Sequence, residues 1–268
     1  MPVAHGYLIS FLAVHLGALA ALIEGPSTLG VALFGAVFLL QGLGITAGYH
    51  RYFAHRSFRT SRAFQLLLAV AGTCAVQKGV LWWAAHHRGH HRRADAPGDP
   101  HSPRDGFFWS HMGWFLSATP PGADTTAVTD LARFPEIVWL DRHFVVPPIA
   151  LALILAGGFG WTGFLWGFCL ATTTSWHLTY AVNSLGHRVG SRPFRTDDDS
   201  RNNFALALFT FGEGWHNNHH RFPSSARQGL LWWQADPTYY GLRILAACGV
   251  VWRIVEPPIT AQNMSESA

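Results

Sequence analysis

Apolar residues gather along this chain in runs of the length a membrane crossing requires, about 20 residues per helix. Two long polar stretches separate them. Residues 7–23 (YLISFLAVHLGALAALI) form a slightly short candidate span, and residues 28–49 (TLGVALFGAVFLLQGLGITAGY) form a second that runs straight into His50. From 144 to 182 the apolar stretch is long enough for two passes, with GGFG at 157–160 as the natural turn and spans near 144–160 and 161–182. Residues 66–76 are too few to cross and read as an interfacial or buried helix. Residues 239–255 are interrupted by Arg243 and Arg253. The expected fold is an all-α integral membrane protein of one domain, 1–268. Four transmembrane helices carry a helical cap built from residues 50–143 and 183–268.

Charge orients this arrangement. All nineteen Lys and Arg lie after residue 50, and none lies within 144–182. With four spans the two polar stretches share one side of the membrane, and the positive-inside rule places them in the cytoplasm together with both termini. Composition agrees: charged residues make up 13% of the chain, about half the globular average. A pI near 9.3 does not imply nucleic-acid binding here, because there is one lysine and no basic run longer than two. Cys74, Cys169 and Cys248 are isolated, which argues against disulfides, iron–sulfur clusters and zinc ribbons. The N-terminus lacks the charged region of a signal peptide, so no cleavage is expected.

The candidate chemistry is in the histidines. Nine of sixteen fall into compact groups on the cytosolic side: His50 and His55 in HRYFAH, His87, His90 and His91 in HRGHH, His187 in NSLGH, and His216, His219 and His220 in HNNHH. Residues at i, i+3 and i+4 share a helical face, so each HxxHH can aim three imidazoles at one point. Two such triplets, with the pair and the single, can enclose a two-metal centre. Imidazole suits iron, zinc, copper and nickel. His5, His15, His101, His111, His143 and His177 fit no group and are expected to do hydrogen-bonding or capping work, and His86 is expected at most to support a ligand. Five Glu and a single Glu-x-x-His, at Glu213–His216, exclude the soluble carboxylate-bridged di-iron type. There is no HExxH of the common zinc peptidases.

GYHRYFAHRSF, HRGHH, NSLGH and TFGEGWHNNHHRFP, followed by WWQADPTYY, closely resemble the membrane-bound fatty acyl desaturases of the stearoyl-CoA (delta-9) type, over residues 44 to 242. The resemblance implies a non-haem di-iron centre held by His50, His55, His87, His90, His91, His187, His216, His219 and His220, with Asn183 reaching the metal through water. It implies O2 as co-substrate, two electrons from an external carrier (a ferredoxin, or a cytochrome b5 with its reductase), and removal of two hydrogens to leave a cis double bond. The acyl chain would lie in a bent apolar tunnel, with Gln77, Trp83 and Thr179 at the bend. Glu213 is expected to orient a ligand histidine, and Asp197, Asp198 and Asp199 to form a solvated loop.

Family members acting on acyl-CoA carry Arg-Asp before the second box and a basic pair after SHxGW; here the first is Ala85-His86, and residues 115–124 contain no base. Arg88, Arg92, Arg93, Arg188 and Arg192 are the remaining candidates for CoA phosphates, and an acyl-lipid or acyl-carrier-protein substrate stays open beside acyl-CoA. Two other readings remain: a histidine-box hydroxylase or acetylenase, and a membrane metal-binding or transport protein. No electron-delivery domain is visible in the sequence, so the basic cap is expected to dock an acidic carrier. Reversing Arg92 and Arg93 to Glu should slow turnover with the native donor, and unaltered turnover would remove that patch from the docking face. His90→Ala should abolish turnover and lower bound iron, whereas His86→Ala should keep most of both; equal loss in the two variants would sink the assignment.

Overall fold

The computed structural model describes residues 5–118 and 121–258, so the termini assigned above to the cytoplasm lie outside the described residues. Helix α1 (His5–Glu24) is followed by α2 (Thr28–Leu43), which starts at Ser27, whose Oγ accepts the Gly30 N–H at 3.0 Å. This satisfies one of the donors that a helix N-terminus leaves unpaired. The helix then continues as a wider-wound π-type run, Gly44–Ala54. Among the described residues two helical runs are long and apolar enough to cross a membrane, Thr28–Ala54 and Val146–His187; Leu8–Glu24 is a shorter apolar helix.

The stretch expected to hold the third and fourth spans corresponds to the helical run Val146–His187, which folds back at Gly160. There φ is 61° and ψ is −149°, a conformation essentially reserved for glycine. The turn therefore falls on the last residue of GGFG. Helix α6 (Val146–Thr162) precedes this fold-back almost entirely, and Gly163–Leu170 with α7 (Ala171–Ser184) follows it. The two arms touch backbone to backbone: a Cβ on Gly163 would stand 2.2 Å from the Leu155 carbonyl oxygen. Outward-facing side chains on these helices are large and apolar, among them Leu16, Ile23, Leu153 and Ile154, which associates the chain with a membrane.

The cap comes from the two segments between and after these runs. It contains α3 (Arg62–Thr73), α4 (Val80–Arg93), α5 (Pro135–Arg142), α8 (Phe204–Phe209), α9 (His216–Arg221) and α10 (Pro237–Ala247). The α3 helix covers most of the segment expected to be interfacial or buried and is half of each: Leu68 and Ala69 are buried while Leu67 is exposed. Two short strands, β1 (Arg59–Thr60) and β2 (Val251–Trp252), pair antiparallel and tie the start of the cap to its end. The core beneath is one apolar cluster, with Tyr49, Phe53, Phe58, Ala84, Ile137 and Leu242 at its centre. Beside it the fully buried Arg51 donates to both carboxylate oxygens of Asp236, at 3.0 and 3.2 Å. Asp236 also accepts the Tyr239 N–H at the start of α10.

Candidate metal centre

The winding of the chain decides how its histidines are aimed. In an α-helix His50 and His55, five residues apart, would diverge by about 140°. The π-type turn closes an i to i+5 hydrogen bond, His55 N–H to the His50 carbonyl at 3.1 Å, and brings both imidazoles to one side. In α4 and α9 the opposite happens. Each HxxHH is divided, because i and i+4 differ by about 40° around the axis whereas i+3 and i+4 differ by about 100°. His87 and His91 of α4 join His50, His55 and His219 in one group; His90 joins His187, His216 and His220 in a second. Within each group the nitrogens lie within 4.8 Å of one another. The expectation that one helix aims three rings at one point is corrected: each helix straddles two centres. All nine sequence-predicted histidines are brought together.

Carboxylates hold the outer nitrogens. His50 Nδ1 meets Glu213 at 2.5 Å, His90 Nδ1 meets Asp99 at 2.9 Å, His187 Nδ1 meets Asp95 at 2.7 Å and His220 Nδ1 meets Asp198 at 2.8 Å. Donation from Nδ1 leaves the inner Nε2 of a neutral ring as a lone pair. Those Nε2 atoms converge: His50 on His219 at 3.0 Å, His91 on His219 at 2.9 Å, and His187 on His216 at 3.0 Å. The buried Nε2 of His220 has no hydrogen-bond partner at all. Burial, and then the proximity of neighbouring imidazoles, hold His55, His87, His91, His216, His219 and His220 well below the usual histidine range, so they are neutral. Burial also works against charge on His90, but Asp99, Asp95 and Asp198 together outweigh it and lift this ring above the ordinary value. Neutral, desolvated imidazoles with converging lone pairs are a donor set for a transition-metal cation. The residues fit such an ion in both groups.

Sequence reasoning placed Glu213 correctly but missed three aspartates. Asp95 and Asp99 follow α4 in a loop, and Asp198, expected in a solvated loop, is 9% exposed and supports His220. Their partners lie as far as 92 residues away, as between Asp95 and His187. Only the acidic pair just behind HRGHH hinted at their role. His101 stacks on His90 with centroids 4.4 Å apart, and burial drives its pKa down to about 3. His86 lies outside both groups, its ring nitrogens on the carbonyls of Trp82 and Pro121. His15, His177 and His111 bond one another in a row ending at Ser184, and His143 bonds the Trp139 carbonyl. The side chain of His5 lies outside the described residues.

Beside the histidines lies an apolar passage in two parts. A cavity of about 700 Å³ and a smaller one of about 60 Å³ share Trp83, His87, Thr179 and Asn183 as walls. The three residues expected at a bend form a hydrogen-bonded trio at this junction: Gln77 Nε2 donates to Thr179 Oγ1 at 3.0 Å, and Trp83 Nε1 donates to Gln77 Oε1 at 3.3 Å. Asn183 lines both parts. The smaller part continues between Phe38, Gly42, Ile45 and Phe211. A Cβ on Gly42 would stand 2.2 Å from the Phe211 ring, so glycine is what leaves room for that ring.

Comparison with known proteins agrees with this architecture. Residues 26–248 match the family model described as fatty acid desaturase. The sn-1 stearoyl-lipid 9-desaturase of Anabaena variabilis is 41% identical over 91% of this chain and 91% of its own length. The sn-2 palmitoyl-lipid 9-desaturase of Nostoc sp. (strain 36) is 38% identical over 87% of this chain and 83% of its own. The acyl-CoA C20 Delta5-desaturase of Anemone leveillei is also 38% identical, over 87% and 77%. With nine histidines in two buried groups beside an apolar passage, and with a match of this extent, the chain belongs to the fatty acid desaturase family, whose members are oxidoreductases of fatty acyl chains.

Proposed function

We propose that the chain is an O2-dependent acyl-lipid desaturase that places a cis double bond at or near the 9 position. The observation that carries the reading is the junction of the passage, where the Gln77–Thr179–Trp83 trio and the His87 ring form one wall. The nine histidines would hold two irons, five rings on one and four on the other, with Asn183 reaching the second through water. When bound, that pair supplies the oxidising power, from O2 and two electrons, that no side chain has. The protein does the rest. Asp95, Asp99, Asp198 and Glu213 hold the Nδ1 hydrogens and so keep each Nε2 aimed inward. The apolar walls exclude water, and the trio bends the acyl chain so that one pair of methylenes lies at the histidines. Electrons come from an external carrier, a ferredoxin or a cytochrome b5 with its reductase. The whole, residues 1–268, is a single domain with four spans and a cytoplasmic cap.

Electrostatics favours a lipid-bound chain over acyl-CoA. Among the described residues Lys78 is the one Lys or Arg that lines either cavity. Of the five arginines that might have met CoA phosphates, Arg93 is exposed and the other four have protein acceptors. Arg88 is held by Asp130 at 2.7 Å and by the Phe53, Ala54 and Ala127 carbonyls. Arg92 is on Asp124, Arg188 on the Pro103 carbonyl and Arg192 on the Asp198 carbonyl. Recognition of several phosphates needs free guanidinium or ammonium groups.

Two experiments test the reading. In a host that supplies a donor, lipid analysis by gas chromatography–mass spectrometry should find a new cis-monoene in the glycerolipids that requires both O2 and His219. A hydroxylated product would replace this reading with the hydroxylase one. Asp99→Asn and Asp198→Asn should each weaken iron retention about ten- to a hundredfold. Chelator titration of purified protein measures this, and wild-type retention in both variants would remove the aspartates from the centre.

A further inference from the structure

Side chains that line the large cavity are not all interior. On α6 and its N-cap, Val145, Ile149 and Leu153 form one stripe at helical spacing and belong to the cavity wall, yet they are 49%, 55% and 67% exposed. Facing them on α1 are Ser10, also exposed, and Phe11, with Val14 one turn on. A residue that both walls a cavity and faces outward stands at its mouth. The helices α1 and α6 both pack on residues 163–170, and the mouth opens on their flank. What surrounds the mouth is apolar: Ile9, Leu12 and Leu16 on α1 and Val146 on α6. The volume, about 700 Å³, falls within the roughly 300–1,000 Å³ that encloses a small-molecule ligand.

We propose that the acyl chain enters sideways from the cytosolic leaflet, through a window between α1 and α6, while still esterified to a membrane glycerolipid. The proposal rests on the acyl-lipid, four-span reading above and adds the route. In that reading the window spans the cytosolic ends of both helices, since α6 begins at Val146 directly below the cap. An acyl tail reaches such an opening without leaving hydrocarbon, so no apolar surface has to cross water. A phosphate-rich carrier in the cytosol would meet no basic rim there. Lys78 stands at this level, its ammonium 5.3 Å from the Phe144 ring and 5.8 Å from the Trp82 ring. A lysine stem lying along apolar rings with its charge at the interface is placed where a glycerolipid carries its ester and phosphate groups.

The test closes the window after folding. In a Cys248→Ser background, which removes the exposed native thiol, Ile149→Cys protein is reconstituted in phosphatidylglycerol vesicles with palmitoyl or stearoyl chains, and its electron donor is added. Activity is read before and after reaction with a bulky maleimide. Modification should lower glycerolipid desaturation by roughly tenfold or more, the cost of misplacing a substrate, with iron content unchanged. The same modification at Ile154→Cys, equally outward on α6 but not on the cavity wall, should leave the rate within about twofold. Glycerolipid turnover unaffected by the label at 149 would overturn the window and leave the acyl-lipid reading standing. Wild-type turnover of stearoyl-CoA, and none of glycerolipid, would overturn the acyl-lipid reading itself, and the window with it.

Discussion

The structure depends on keeping nine imidazoles together and turned the right way. Burial disfavours charge, because a charged ring in a dry interior is costly, although the aspartates beside His90 outweigh it there. Orientation needs more, since a neutral imidazole can carry its proton on either nitrogen. Four carboxylates decide it at His50, His90, His187 and His220. They are unevenly shared: three aspartates stand behind the four-histidine group, and one glutamate stands behind the five-histidine group. Glu213 itself is buried, which favours its protonated form, but His50 and Arg51 hold its pKa below the ordinary value.

That arrangement explains why the cap has so little regular structure between its helices. The loops that carry Asp95, Asp99 and Asp198 are packed into the site, and their backbones are bonded to the same carboxylates. The Asp95 N–H donates to Asp99 at 2.8 Å, and the Asp199 N–H donates to Asp95 at 2.8 Å. Asp95, Asp99 and Asp198 are thereby satisfied from within, as members of a buried network must be if it is not to cost more than an apolar core. Among the ring nitrogens without a partner is Nε2 of His220, in the four-histidine group.

Much of this was legible in the sequence. The apolar runs marked the helices, GGFG marked the fold-back, and the histidine boxes marked the nine rings that come together, because each of these signals is local. What was not legible depended on winding and on distance. The spacing of His50 and His55 looks divergent on an α-helix, and only the π-type turn aligns them. The division of each HxxHH between two groups follows from helical geometry, but it shows only once α4 and α9 are seen to straddle two centres. Asp198 sits in a run of three aspartates that carries no mark distinguishing a buried carboxylate from a solvated one. Lys78 and the stripe Val145, Ile149 and Leu153 likewise read as ordinary positions until the cavity joins them.

The widened helix at Gly44–Ala54 links the membrane part to the chemistry. Its successive residues serve different ends: Tyr49 enters the apolar core, His50 faces the five-histidine group, and Arg51 is fully buried against Asp236. Arg51 also lies 3.3 Å from Glu213, the carboxylate that holds His50. Breaking a buried ion pair from one side typically costs about 3–5 kcal/mol, because it strands the remaining charge. Here that stranded charge would be Asp236, which starts α10, and Glu213 would lose the cation that favours its ionised form. The same guanidinium therefore ties the end of the second apolar run to the last helix of the cap and sets the charge behind a histidine of the centre. Anchoring and metal-site geometry are one constraint at this residue.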